Sequence, residues 1–241
     1  MKTDKANLST QRAFTLIELL GVISIIGVIA GMTLVVAGSV GKSRKISVVK
    51  GELEAIASAL DNYKAKYGVY PPSNKNAAAI GYTPALLSQL YYELSGTTNT
   101  GVNFMTLDSS ASIPVNNSGK DVKAAYGVGG FINCSKGGGE DVAAAKNFLP
   151  SISQKQLYRS WTNPGPNGAD TTILVTSVGG PDDNYNPLSA VSGSSPNPIR
   201  YAYPGTNNVG SYDLWVQLQI SGKKYLVCNW SKSVQVNSTM P

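Results

Sequence analysis

Between Phe14 and Val40 the chain reads FTLIELLGVISIIGVIAGMTLVVAGSV, and Leu19 to Ala37 contains no charged residue. As a helix, at about 1.5 Å per residue, such a run spans the roughly 30 Å hydrocarbon core of a bilayer. No proline follows until Pro71, so nothing breaks a helix from Phe14 to Tyr67. Past Ile46 the pattern turns from uniformly apolar to amphipathic: Ile46, Val49, Leu53, Ile56, Leu60, Tyr63 and Tyr67 recur at three- and four-residue steps. The pattern predicts one helix on the order of 80 Å, membrane-embedded in its first half and packed on a globular head in its second. Gly21, Gly27, Gly31, Gly38, Gly41 and Gly51 loosen it or permit close helix contacts. Gly68, followed by Tyr70-Pro71-Pro72, stops it.

The flanks of this run set its orientation. Residues 1–13 (MKTDKANLSTQRA) are polar and net positive, as a cytoplasmic leader would be. Lys42, Arg44, Lys45 and Lys50 gather just beyond it and read as a membrane-edge cluster. A secretory signal peptide, with small residues at Val35 to Gly38 as its cleavage site, is the competing reading. It fits less well, since the run is longer than a typical h-region and holds an acidic residue near its start. The net charge of +6 is otherwise scattered, with no basic stripe interleaved with aromatics, so specific nucleic-acid binding is not expected. The chain has no histidine, which removes the commonest general base and most zinc sites, and an enzyme is not expected. Asp182-Asp183 is a tight carboxylate pair, but adjacent residues on a turn rarely converge on a substrate. Cys134 and Cys228 lie far apart and form no metal-ligand spacing; they either pair in an exported domain or stand as two buried thiols.

Residues 73 to about 170 are rich in Asn, Ser, Gly and Ala, with short helices expected at Thr83–Leu94 and near Glu140–Phe148. The C-terminal third reads as β. Thr171–Val178 is β-branched and apolar, and in Tyr212–Ile220 the residues Tyr212, Leu214, Val216, Leu218 and Ile220 alternate with polar or aromatic neighbours. A Ser221-Gly222-Lys223 turn into Lys224–Trp230 predicts an antiparallel hairpin.

Glu18 is the most informative side chain, because a carboxylate inside an apolar span is costly unless a partner compensates it. The segment Ala13-Phe14-Thr15-Leu16-Ile17-Glu18-Leu19, after a short basic leader, resembles the N-terminal signature of type IV pilins and type II secretion pseudopilins. The resemblance implies that a prepilin peptidase cuts between Ala13 and Phe14 and N-methylates Phe14; the family prefers Gly before the cut, where Ala13 stands here. The new amine of Phe14 on one subunit would meet the Glu18 carboxylate of a neighbour, penalising wrong axial register. The bland alternative leaves Glu18 reaching into interfacial water. Leu60-Asp61-Asn62-Tyr63 and Tyr67-Gly68-Val69-Tyr70-Pro71 are similar to the helix end of major pseudopilins. Tyr203-Pro204-Gly205, Gly210 to Trp215 and Asn229-Trp230 are similar to their C-terminal sheet. That family often binds calcium, for which Asp182 and Asp183 are the nearest acidic candidates, although a solvated turn is the favoured reading. Trp161, Trp215 and Trp230 read as packing groups.

The expectation is thus an α+β, pilin-like fold, a long N-terminal helix packed on a small C-terminal antiparallel sheet. It divides into a leader (1–13), a transmembrane and assembly helix (14–40), an amphipathic half (41–71) and a head (72–241). The resemblance implies a filament subunit needing no cofactor, whose partners are itself, other pilins, the prepilin peptidase, membrane lipid and an inner-membrane assembly platform with its ATPase. It would wait in the inner membrane with its head outside the cytoplasm. An anchored adhesin or DNA-uptake module is the alternative.

Overall fold

The computed structural model describes residues 15–74, 87–117, 119–136, 144–149, 158–161, 171–178 and 197–237, with the side chains of 33–40 and 158–161 not described. Helix α1 runs from Leu16 to Tyr67, 52 residues, as the absence of proline predicts. It ends at Gly68, whose φ of +76° is the left-handed conformation that favours glycine, with its N–H donating to the Lys64 carbonyl at 2.7 Å. The chain divides into two compact units, Met1–Arg44 and Lys45–Pro241.

In the second unit the predicted stripe of α1 is the spine of the core. Val49, Leu53, Ile56, Leu60 and Tyr63 are buried, with Ile46 and Tyr67 packed at its ends. Full burial of each such side chain contributes about 1.5–3 kcal/mol. Against it lies a sheet of β8 (Arg200–Ala202), β9 (Asp213–Ile220), β10 (Lys223–Cys228) and β11 (Gln235–Val236), ordered β11-β10-β9-β8 and antiparallel throughout. The β9–β10 hairpin pairs Ile220 with Lys223 across Ser221-Gly222. Both turn residues have positive φ, 52° and 74°, the type I′ geometry that matches strand twist. The inner face presents Leu214, Val216, Leu218, Tyr225 and Val227 to the core, as the alternation predicts. Strand β10 stops at Cys228, two residues before the expected end, where the Asn229 N–H still reaches the Leu214 carbonyl (3.0 Å) but the Leu214 N–H is taken by Asn229 Oδ1 (3.0 Å) in place of a backbone carbonyl, and Nδ2 donates to the Tyr212 carbonyl at 3.0 Å.

The predicted strand at 171–178 forms as β6 (Thr171–Thr176), between β5 (Tyr158–Trp161) and β7 (Asn197–Pro198). The middle of the chain holds more order than its composition suggested. Helix α2 (Leu90–Ser95) leads into β1 (Thr97–Asn99), β2 (Asn103–Thr106) and β3 (Ser112–Pro114), then α3 (Val122–Tyr126) and β4 (Cys134–Lys136). These strands form a second sheet, β3-β2-β1-β4, in which β1 and β4 run parallel. The helix expected at Thr83–Leu94 is confined to Leu90–Ser95, with residues 83–86 outside the described residues. The helix expected near Glu140–Phe148 is not formed over Ala144–Phe148. There the backbone is taken by other partners: Ala145 N–H by Ser135 Oγ (2.7 Å), Lys146 N–H by Asn133 Oδ1 (2.9 Å) and Phe148 N–H by the Leu94 carbonyl (2.7 Å).

Candidate functional site

The start of α1 is a capping box. Thr15 precedes the first turn, and Glu18 sits three residues on. The Thr15 N–H and hydroxyl both donate to Glu18 Oε2, at 2.9 and 2.7 Å, and the Glu18 N–H lies 3.3 Å from Thr15 Oγ1. The carboxylate therefore folds back on the positive end of its own helix, where an anion is favoured. Its Oε1 takes none of these bonds. Ala13 and Phe14 lie outside the described residues.

Beyond the cap the helix is bare. From Leu16 to Met32 the large apolar side chains are 48–81% exposed, on every side of the helix. A helix apolar all round belongs in lipid or inside a bundle rather than in water. Its one hydroxyl there, Ser24, bonds the Leu20 carbonyl at 2.8 Å and so asks nothing of its surroundings. Among the described residues no helix is long and apolar enough to cross a membrane; the described side chains of this stretch end at Met32.

The head adds a polar node at the far end of α1. Glu93 is fully buried on α2, and its carboxylate accepts the Tyr63 hydroxyl (2.9 Å) and the N–H groups of Ile132 (3.0 Å) and Asn133 (2.9 Å). Asn133 in turn accepts from the Tyr67 hydroxyl at 2.6 Å, and its Nδ2 donates to the carbonyls of Glu93 and Lys146 at 2.6 Å each. Burial holds the Glu93 carboxyl above the ordinary range, against the three donors that lower it; burial and then the Glu93 charge push the Tyr63 hydroxyl far up. A second buried carboxylate, Asp213, shapes the loop before β9 by accepting the N–H groups of Thr206 and Asn207 (2.8 Å each) and Asn208 (2.9 Å). Both acids are held by donors from the protein itself, which suits scaffolding rather than catalysis.

The remaining sequence candidates separate. Asp182 and Asp183 lie outside the described residues, and among the described residues no group of three or more His, Cys, Asp or Glu side chains could hold a metal. Cys134 and Cys228 stand as free thiols. Cys134 packs against the main core, whereas Cys228 alternates to the opposite face of β10, with Trp215 and Leu226. Burial pushes the Cys228 thiol up, away from the thiolate. Trp215 and Trp230 pack edge-on at 5.7 Å on that outer face, as packing groups; the Trp161 side chain lies outside the described residues. The capping box was available in the sequence as Thr-x-x-Glu. The Glu93 node carried no local signal, since its donors come from some 30 and 40 residues away.

Comparison with known proteins bears on the start of α1. The family model for the prokaryotic N-terminal methylation motif matches residues 8–34. Type II secretion system core protein G of Pseudomonas aeruginosa is 36% identical over 74 residues, 31% of this chain, and the chain spans about half (52%) of that relative's length. No solved structure matches. The chain thus carries the methylation motif over the apolar start of a long helix with an α+β head behind it, and it is similar in part to a type II secretion pseudopilin.

Proposed function

We propose that the chain is a structural subunit of a type II secretion pseudopilus, held in the inner membrane by the apolar half of α1 and polymerised through it. The observation that carries this reading is the helix from Leu16 to Met32, whose large apolar side chains are exposed on every side and leave no polar face to turn to water. In the membrane, lipid covers this surface; in a filament, copies of the same helix do. The similarity to a secretion core protein favours the pseudopilus over a surface pilus.

Processing follows from the motif. A prepilin peptidase cuts between Ala13 and Phe14 and methylates the new amine, leaving Thr15 as the second mature residue and Glu18 as the fifth. The Phe14 amine of one subunit then meets the Glu18 carboxylate of its neighbour as the assembly platform and its ATPase lift subunits from the membrane, heads outside the cytoplasm. Subunits in the wrong axial register leave both charges without that partner. The reading invokes no cofactor.

Two measurements test it. Mass spectrometry of the N-terminus should find a chain beginning at methylated Phe14, whereas a start near Gly38 would show ordinary signal-peptide removal. Glu18→Ala should leave membrane association unchanged and reduce fibre yield; fibres at wild-type yield would rule out the pairing.

A further inference from the structure

A cavity of about 450 Å³ opens in the head between α1 and the end of β10. Its floor is apolar, made by Leu53 and Ala57 of α1 and Val227 of β10. Ala57 is short where the neighbouring core positions of the helix carry Leu53, Ile56 and Leu60, and Trp230, packed edge-on against Trp215, contributes to the wall. The walls are fixed: the Asn229 amide that ends β10 also accepts Asn208 Nδ2 at 3.1 Å, tying the chain's exit to the loop before β9. The mouth is net positive. Lys50 Nζ is pinned over the Lys232 carbonyl at 3.1 Å with further donors on the same ammonium, the Lys232 ammonium is exposed, and Glu54 is the single carboxylate. An apolar floor under two cations fits an apolar side chain adjoining an anion.

The chain presents such a pair elsewhere on the same head. The β2–β3 turn is exposed from Leu107 to Ser110 and internally braced: Leu107 N–H donates to the Gly96 carbonyl (3.0 Å), Ser109 N–H to the Thr106 carbonyl (2.8 Å), and the Ser110 N–H and hydroxyl to Asp108 Oδ1 (3.1 and 2.6 Å). Among the large apolar side chains that the described head exposes, Leu107 is the one with a carboxylate as its neighbour in the chain. No lining residue of the cavity comes from α2 or β1–β4, so turn and cavity are separate patches.

We propose that the β2–β3 turn of one copy docks in this cavity of the next, Leu107 over Leu53, Ala57 and Val227, and Asp108 between Lys50 and Lys232. The inference rests on the filament reading and gives the heads their own contact within it. Because the two patches differ, the contact is heterologous and repeats open-endedly, as a helical fibre needs, rather than closing into a two-fold dimer.

The test uses the full chain, assembled into fibres, with Cys134 and Cys228 replaced by Ser. Adding Ser109→Cys and Ser231→Cys together, one on the turn and one lining the cavity, should give a ladder of oxidised multimers on non-reducing gels, and either alone should not. Asp108→Lys should lower fibre yield about tenfold, and Lys50→Glu with Lys232→Glu in the same chain should restore most of it. Fibres that form normally with no ladder, and a yield unchanged by Asp108→Lys, overturn the docking and leave the filament standing. Failure of the wild-type chain to form fibres at all overturns both.

Discussion

Replacing Tyr63 by Phe deletes one hydroxyl and leaves the rest of the core in place. That hydroxyl donates to the Glu93 carboxylate at 2.9 Å, inside a head where both side chains are fully buried. Hydrogen bonds to charged groups contribute about 1.5–3 kcal/mol, and a donor lost from a buried anion falls toward the upper end of that range. For a unit the size of Lys45–Pro241, each kcal/mol shifts Tm by about 2–4 °C, so Tyr63→Phe should melt about 5–12 °C lower at pH 8. The loss should depend on pH, with a definite sign. Burial holds the Glu93 carboxyl above the ordinary range, so the folded head binds that proton more tightly than the unfolded chain, whose Glu titrates near about 4.3. Stability from this group is complete below the unfolded value and declines as pH rises through the folded one. Tyr63→Phe withdraws a donor that favours the ionised form, raises the folded value further and widens that window. Urea unfolding of the full chain in mild detergent, followed by the fluorescence of Trp215 and Trp230, measures this directly. The destabilisation should be smallest near pH 4 and full by pH 8; an equal loss at both, or one under about 0.5 kcal/mol at pH 8, would refute the view that Glu93 is ionised and held through α1.

Leu60→Ala removes a fully buried side chain from the middle of the α1 stripe and should cost about 2–5 kcal/mol, read from the same unfolding curves. Gly222→Ala meets open space, but at φ +74° it strains the I′ turn, so it should destabilise by about 1 kcal/mol; an unchanged midpoint would contradict the turn assignment.

What could be read in advance depended on how far a residue's partner lies along the chain. The α1 stripe survived intact because helical period is local, and the β9–β10 hairpin because Ser221-Gly222 carries its turn chemistry in two residues. A short helix is expected near Glu140–Phe148, yet side chains of Ser135 and Asn133, ten or more residues earlier, take the N–H groups of Ala145 and Lys146 instead. The same distance hid Glu93, whose burial is tolerable only with donors from Tyr63, Ile132 and Asn133. The cavity left no sequence trace either. It lies where a short side chain, Ala57, meets the end of β10, at which the Asn229 side chain replaces its own carbonyl as the acceptor for Leu214.

Glu18 changes most on passing from sequence to structure. As a charge in an apolar run it demands a partner, and the obvious one is the amine of a neighbour. The capping box supplies part of that demand within the chain, since Thr15 offers an N–H and a hydroxyl. The two roles do not compete for the same atom: both donors converge on Oε2, and a carboxylate with two oxygens has acceptor sites to spare on Oε1. The cap thus does for the carboxylate what a rotamer alone does not, fixing its plane on the first turn and leaving one oxygen for an incoming ammonium. A partner arriving in register finds an acceptor already oriented, and loses less side-chain entropy on pairing than it would with a freely rotating Glu. If Glu18 pairs with a neighbour's amine as proposed, Thr15 acts with it, positioning the carboxylate through which that neighbour would be selected.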